Sequence, residues 1–241
     1  MAQRESIFVT HPEVADEWHP TKNGDLTPAD IVAGSHKRVW WRCPKGPDHE
    51  WQTTVRHRTS RGSSCPCCSG QRVSVTNSLA SLFPEVADEW HPTKNGDLTP
   101  ADIVAGSNKR FWWQCPKGPD HVWQTTVSNR TTKGSGCGFC SCRKASVTNS
   151  LASLFPEVAD EWHPTKNGDL TPADIVAGSH KRVWWRCPKG PDHEWQTTVR
   201  HRTSRGSSCP CCSGQRVSVT NSLASLFPEV ADEWHPTKNG D

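Results

Sequence analysis

Two hydrophobic rhythms alternate along the chain. From Ser78 to Trp90, the apolar residues Leu79, Leu82, Phe83, Val86, Ala87 and Trp90 recur at three- and four-residue steps, which places them on one helical face. Asn77 or Ser78 suits the cap. Pro84 breaks the run, because its ring removes a backbone donor and clashes with the carbonyl of Ala80. The pattern therefore predicts a short helical turn, then a second helix with Pro84 in its first position, ending at His91-Pro92. Lys94–Asp97 reads as a turn, and Thr99-Pro100-Ala101-Asp102 as a cap, an N-terminal proline and an acid that open a short helix running to Gly106. In the remainder of the unit the period shifts to two. Lys37, Val39 and Trp41 point one way and Arg38, Trp40 and Arg42 the other; in Glu50–Arg56, Trp51, Thr53 and Val55 alternate with Glu50, Gln52, Thr54 and Arg56. Two strands joined through Cys43–His49 make a hairpin with Val39, Trp41, Trp51 and Val55 on its apolar face. Its other face is polar and cationic, and it centres on Trp40.

This pattern returns. Trp18, Trp90, Trp162 and Trp234 share the context E-W-H-P-T-K-N-G at a period of 72 residues. The organisation read from it is a first repeat over 1–77 (finger 36–73), a second over 78–149 (finger 108–145), a third over 150–221 (finger 180–217) and a partial fourth, helix only, over 222–241. Pro12–Asp97 is identical to Pro156–Asp241, so the first and third copies are the same text. Stopping part-way into a fourth unit is the pattern of a fragment of a longer array, or of an array capped by its last helix.

Only 33% of residues are hydrophobic, with one Met and no Tyr. Units this small and this polar need a staple. Twelve cysteines supply one. No apolar segment follows Arg4 as a signal peptide requires, and no window approaches the roughly 20 apolar residues of a membrane span. The expectation is an intracellular protein, cytoplasmic or nuclear, with no membrane partner, in which cysteines hold metal rather than disulfides.

Comparing the copies picks out the ligands. Cys43, His49, Cys65 and Cys68 recur as Cys115, His121, Cys137 and Cys140, and as Cys187, His193, Cys209 and Cys212. Paired ligands on tight turns suit Zn²⁺ in closed tetrahedral sites, giving three structural Cys₃His zinc ions. A disulfide framework or an iron centre leaves the recurring His unexplained. Cys67 and Cys211 align with Phe139, and Cys142 with Gly70, so these thiols are set aside as ligands. His19, His91, His163 and His235 recur between Trp and Pro and read as helix-ending residues near a Trp. Four protein ligands leave zinc no open position for water, and no nucleophile-elbow or phosphate-loop spacing occurs, so no enzyme is expected. A nuclease using His57 as base meets Asn129 in the middle copy.

The run W-W-x-C-P-K-G-x-x-H-x-W, then V-x-x-R-T, C-x-x-C and N-S-L-A-x-L-F-P-E-x-A-x-E-W-H-P-T-K-N resembles the tandem zinc-ribbon repeats of the family called domain of unknown function 4379. The resemblance covers nearly the whole chain. It implies a small metal-stabilised α+β fold, a tandem array of three treble-clef or zinc-ribbon fingers, each a β-hairpin with short helices. It also implies a suspected link to nucleic acid and, in some members, a fused or associated nuclease. The Pro-Asp inside Cys43–His49 lengthens the first knuckle relative to the family's shorter C-P-x-G-H form.

Net charge is only +3, yet each unit is dipolar. Pro12–Ser35 sets five acids against Lys22, whereas His36–Val73 sets eight bases against Asp48 and Glu50. Between Pro12–Phe83 and Pro84–Phe155 every difference falls between His36 and Val73, including His36→Asn108, Arg42→Gln114, Arg56→Ser128 and His57→Asn129. Arg and Asn are side chains that address base edges. The expected reader is Arg42, Arg56 and His57, then Gln114, Ser128 and Asn129, then Arg186, Arg200 and His201. Lys37, Arg38 and Arg58 hold the polymer backbone, with Lys109, Arg110, Arg130, Lys181, Arg182 and Arg202. Trp40, Trp112 and Trp184 either stack on a base or pack near Trp18 and its equivalents. The expected partner is nucleic acid, double-stranded DNA before RNA. The alternatives are a protein-interaction scaffold and the targeting module of a larger nuclease.

Overall fold

The computed structural model describes residues 5–235, 237 and 238; residues 1–4 of the expected first repeat and residues 236 and 239–241 of the partial fourth lie outside them. Each repeat runs helix, helix, hairpin, helix. The first holds α1 (Ile7–Thr10), α2 (Pro12–Ala15), β1 (Arg38–Arg42), β2 (Glu50–Thr54) and α3 (Val55–Thr59). The second holds α4 (Leu79–Leu82), α5 (Pro84–Ala87), β3 (Arg110–Gln114), β4 (Val122–Thr126) and α6 (Val127–Thr131). The third holds α7 (Leu151–Leu154), α8 (Pro156–Ala159), β5 (Arg182–Arg186), β6 (Glu194–Thr198) and α9 (Val199–Thr203), and α10 (Leu223–Leu226) and α11 (Pro228–Asp232) follow.

The chain divides into two compact units: residues 1–114 with 122–135, and residues 115–121 with 136–241. In the first, Leu79 N–H donates to Ile103 O at 2.7 Å and Ala105 N–H to Asn77 O at 3.0 Å. In the second, Ala177 N–H donates to Asn149 O at 3.0 Å.

Local chemistry sets the element ends. The Ser78 hydroxyl accepts from Ser81 N–H and starts α4, and Pro84 opens α5, as the apolar pattern predicts. The next element is shorter than expected. Thr99 and Asp102 form a capping box, but the turn is a 3₁₀ helix over Pro100–Asp102 and does not reach Gly106. Ile103 is already extended, because its carbonyl is taken by Leu79 and its side chain is buried. Strand β2 also ends early. The Thr54 hydroxyl accepts from His57 N–H and turns Val55–Thr59 into a helix, so Val55 and Arg56 are helical rather than part of the strand.

The hairpin pairs Val39 with Thr53, Trp40 with Gln52 and Trp41 with Trp51. Trp41 and Val55 are fully buried and Val39 is 2% exposed, which is the apolar face the alternation predicts. The helical half packs onto it. Trp18 meets the Trp41 ring edge-on at 5.4 Å, and the Asn23 side chain bonds both the N–H and the carbonyl of Trp40. His19, 4% exposed, accepts the Thr21 and Lys22 amides on Nδ1, as a helix-ending residue does.

Candidate metal centres and the hairpin surface

Each metal cluster is built from two turns. In the first, Cys43 N–H bonds His49 O and His49 N–H bonds Gly46 O, folding the His ring back over the glycine. A Cβ on Gly46 would lie 2.6 Å from two atoms of that ring, and the clash recurs at Gly118 and Gly190, so only glycine closes this knuckle. The second turn follows α3 and presents the buried Cys65 and the exposed Cys68 to the first, with Ser69 N–H bonded to Cys65 O at 3.0 Å.

The donor atoms of Cys43, His49, Cys65 and Cys68 all lie within 4.8 Å of one another, as do those of the two equivalent quartets. Cys43 Sγ is 3.7 Å from Cys68 Sγ, and Cys68 Sγ is 3.5 Å from His49 Nδ1. The matching sulfur pairs of the other copies are at 3.6 and 3.7 Å. A tetrahedron with Zn–S bonds of about 2.3 Å has S···S edges of about 3.8 Å, and a disulfide would bring the sulfurs to about 2.05 Å. The clusters fit zinc, and all twelve cysteines are free of disulfides. Burial, then the neighbouring thiols Cys43 and Cys65, push the Cys68 thiol up to about 12. Cys140 rises to about 12 and Cys212 to about 11 for the same reasons. A divalent cation reverses that balance, because thiolate is the ligand.

Behind each His stands a second pair of groups. His49 Nε2 donates to Thr76 Oγ1 at 2.7 Å and to Ser74 Oγ at 3.2 Å, which fixes Nδ1 as the nitrogen facing the sulfurs. Val75 N–H donates to Asp48 Oδ2, and Asn77 Nδ2 to the carbonyls of Cys67 and Arg72. Ser146 and Thr148 repeat this at His121, and Ser218 and Thr220 at His193. The thiols set aside as ligands are packing groups or surface groups. Cys67 and Cys211 sit in the apolar core, Phe139 stacks on the His121 ring at 5.1 Å in their place, and Cys142 is exposed.

Three closed Cys₃His clusters on hairpin scaffolds define a tandem array of structural zinc fingers. A family model described as a probable treble clef zinc finger domain, domain of unknown function 4379, matches residues 14–71, 86–143 and 158–215, and the chain belongs to that family. No curated protein matches the chain.

The residues expected to meet a polymer separate into two groups. Lys37, Arg38, Arg42 and Arg56 are exposed, as are Lys109, Arg110, Lys181, Arg182, Arg186 and Arg200, while Gln114 and Ser128 are half-buried. Trp40, Trp112 and Trp184 are half-buried, each with a lysine ammonium over its ring at 4.9, 4.7 and 4.8 Å. It is the neighbouring Trp41, not Trp40, that packs on Trp18. His57 and His201 turn toward the hydroxyls of Thr53 and Thr197 at 3.3 Å, and Asn129 keeps the same bond to Thr125 at 3.2 Å.

Arg58, Arg130 and Arg202 are corrected by the structure. Their side chains are 8, 5 and 6% exposed and paired with Glu17, Glu89 and Glu161. Arg58 also bonds Ser63 O and lies 5.5 and 5.4 Å from the Trp41 and Trp51 rings. A guanidinium so enclosed and neutralised serves the core and is not presented to a phosphate. Glu17, Gly46, Ser74 and Thr76 were not singled out from sequence, although their recurrence in every copy was available as a signal. A further exchange between copies follows the hairpin register: Arg42 faces Glu50 across the strands, and Gln114 faces Val122. Glu50 also takes His19 and Lys22; these hydrogen bonds hold its carboxyl down to about 2. His91, without such an acid, is held below the ordinary His range by burial, then by Lys94.

Proposed function

We propose that the chain is a non-enzymatic, zinc-stabilised nucleic-acid-binding array that takes double-stranded DNA, each repeat contributing one hairpin and its following helix. The observation that carries this reading is the set of exposed cations on and beside the hairpin and on the helix that follows it. Among the described residues, the exposed Lys37, Arg38, Arg42 and Arg56 are in no ion pair, whereas the enclosed Arg58 is paired with Glu17. Exposed cations without acidic partners favour a polyanion. Arg and Asn side chains suit the edges of bases in the wide major groove of B-DNA, and the deep, narrow groove of duplex RNA does not admit them. The zinc, with four protein ligands, holds the fold and leaves no position for hydrolytic water.

The test is fluorescence anisotropy of the zinc-loaded chain with double-stranded DNA, single-stranded DNA and RNA at two salt concentrations. Binding that weakens steeply with salt and is tightest for the DNA duplex supports the reading; no salt-dependent binding to any of the three refutes it. One observation favours a protein partner instead. Val75 and Leu82 are 59% and 52% exposed, and Val147 and Leu154 repeat both values, so an exposed apolar pair recurs from one copy to the next. Salt-insensitive capture of a peptide on that pair, with no nucleic-acid binding, would replace the first reading with the second.

A further inference from the structure

The copies differ at fifteen or so positions, and the structure shows that some of those changes are one change. Arg56 opens the exposed side of α3, and its Nη1 lies 3.0 Å from His36 Nε2. The third repeat reproduces the contact between Arg200 and His180 at 2.9 Å. In the middle copy both partners are replaced together, by Ser128 and Asn108. The backbone beneath does not move to accommodate this. Arg56 N–H meets Ser35 O at 2.9 Å, Ser128 N–H meets Ser107 O at 2.9 Å and Arg200 N–H meets Ser179 O at 2.9 Å. The scaffold is constant and a contacting side-chain pair is swapped on it.

The exchange of His57 for Asn129 is of another kind, since both bond the strand threonine below them. The exchange of Arg42 and Glu50 involves an acid already taken by His19 and Lys22. The pair at 36 and 56 has no such internal employment. Among the described residues the Arg56 guanidinium has no other hydrogen-bond or ion-pair partner, so its Nε–H and Nη2–H edge is free. That edge is a planar two-donor fork, which matches O6 and N7 of guanine. Lys37 and Arg38 recur unchanged in every copy and suit the invariant phosphates.

Resting on the nucleic-acid reading above, we infer that Arg56 and Arg200 are guanine-reading residues, that His36 and His180 are the positioning residues that aim them, and that the middle repeat, with Asn108 and Ser128, carries a different reader. The imidazole does this by accepting from Nη1, which restricts a long flexible side chain to one fork orientation before the target arrives. The array then has two readers of one kind and one of another. Its preferred duplex contains the guanine-bearing element twice.

The experiment is selection from a randomised double-stranded DNA library with the full zinc-loaded chain, followed by anisotropy on the enriched duplex and on versions with adenine for each enriched guanine. The variants are Arg56→Ser with Arg200→Ser, His36→Leu with His180→Leu, and His36→Gln with His180→Gln; zinc content near that of the parent shows each is folded. The parent should lose about tenfold to a hundredfold on the guanine-to-adenine change, the range of one bidentate arginine contact. The serine variant should show no discrimination at those positions and a shallower salt slope. The leucine variant should lose most of the discrimination, and the glutamine variant, whose side-chain oxygen can accept from Nη1, should retain it. Salt-dependent binding with undiminished guanine discrimination in the serine variant overturns the inference and leaves the nucleic-acid reading standing. Equal behaviour of the leucine and glutamine variants overturns the positioning role. Absence of salt-dependent binding by the parent overturns the nucleic-acid reading itself.

Discussion

Replacing Thr76 by Val tests whether the segment after each finger belongs to its metal site. Valine keeps the volume and branching of threonine and removes only the oxygen that His49 Nε2 meets at 2.7 Å. Ser74 remains as a second acceptor at 3.2 Å, so the imidazole loses its shorter hydrogen bond and keeps its longer one. Loss of a group behind a metal-bound His lowers metal affinity by about 10- to 100-fold. With one acceptor surviving, the expected loss lies near tenfold, about 1.4 kcal/mol. Adding Ser74→Ala should bring it near a hundredfold. The other two clusters are bonded to Ser146 and Thr148 and to Ser218 and Thr220, so they serve as controls in the same molecule. Titration with a coloured chelator should release one zinc in three at about a tenfold lower chelator concentration. Release of all three together, on the parent's curve, would show that the hydroxyl does not support the ligand and would refute the argument.

Four further outcomes follow from the same geometry. Glu17→Gln leaves the Arg58 guanidinium enclosed without its carboxylate; because Glu17 is itself 24% exposed, the cost should fall to about 2 kcal/mol from the 3–5 of a fully buried pair, read as a lower thermal midpoint. Glu85→Gln, on an exposed helical position, should shift it by under about 0.5 kcal/mol. Leu151→Ala, at a fully buried site, should cost about 2–5 kcal/mol, whereas Leu223→Ala, at the equivalent position but 39% exposed in this chain, should cost clearly less; equal losses by chemical denaturation would count against the packing described. Finally, the thiols of Cys68, Cys140 and Cys212 sit above their ordinary range, so at neutral pH zinc must displace their protons. Affinity should therefore rise with pH and fall as the solution is acidified. Calorimetric zinc uptake should vary with the ionisation enthalpy of the buffer, and a buffer-independent enthalpy would contradict it.

Much of the fold is legible in the sequence because its determinants are local. The hairpin is written in alternation over Arg38–Arg42 and Glu50–Thr54, and the cluster ligands survive comparison of three copies when Cys67 and Cys142 do not. What is not legible depends on contacts between distant positions. Arg58 looks like any other base in a cationic stretch, and only its pairing with Glu17, 41 residues earlier, places it inside. Ser74 and Thr76 lie 25 and 27 residues from the imidazole they orient. Val55 and Arg56 continue the strand alternation well, and a single hydroxyl, that of Thr54, diverts them into a helix. The 3₁₀ turn stops at Asp102 because the following backbone pairs with Leu79, more than twenty residues upstream.

The attachment of Ser74, Thr76 and Asn77 to the first cluster has a consequence for how the molecule can be cut. The family match to the first finger ends at residue 71, before any of these three residues. A peptide trimmed to that boundary would contain all four zinc ligands, yet its His49 would face water on Nε2, and the Cys67 carbonyl would lose the Asn77 amide. A peptide extended to Asn77 would close the same coordination sphere with its orientation already set. The stretch that folds as one finger is thus longer than the stretch that identifies one, and on a ribosome the first finger can complete its hydrogen-bonded shell only once the last residues of the first repeat, through Asn77, have emerged.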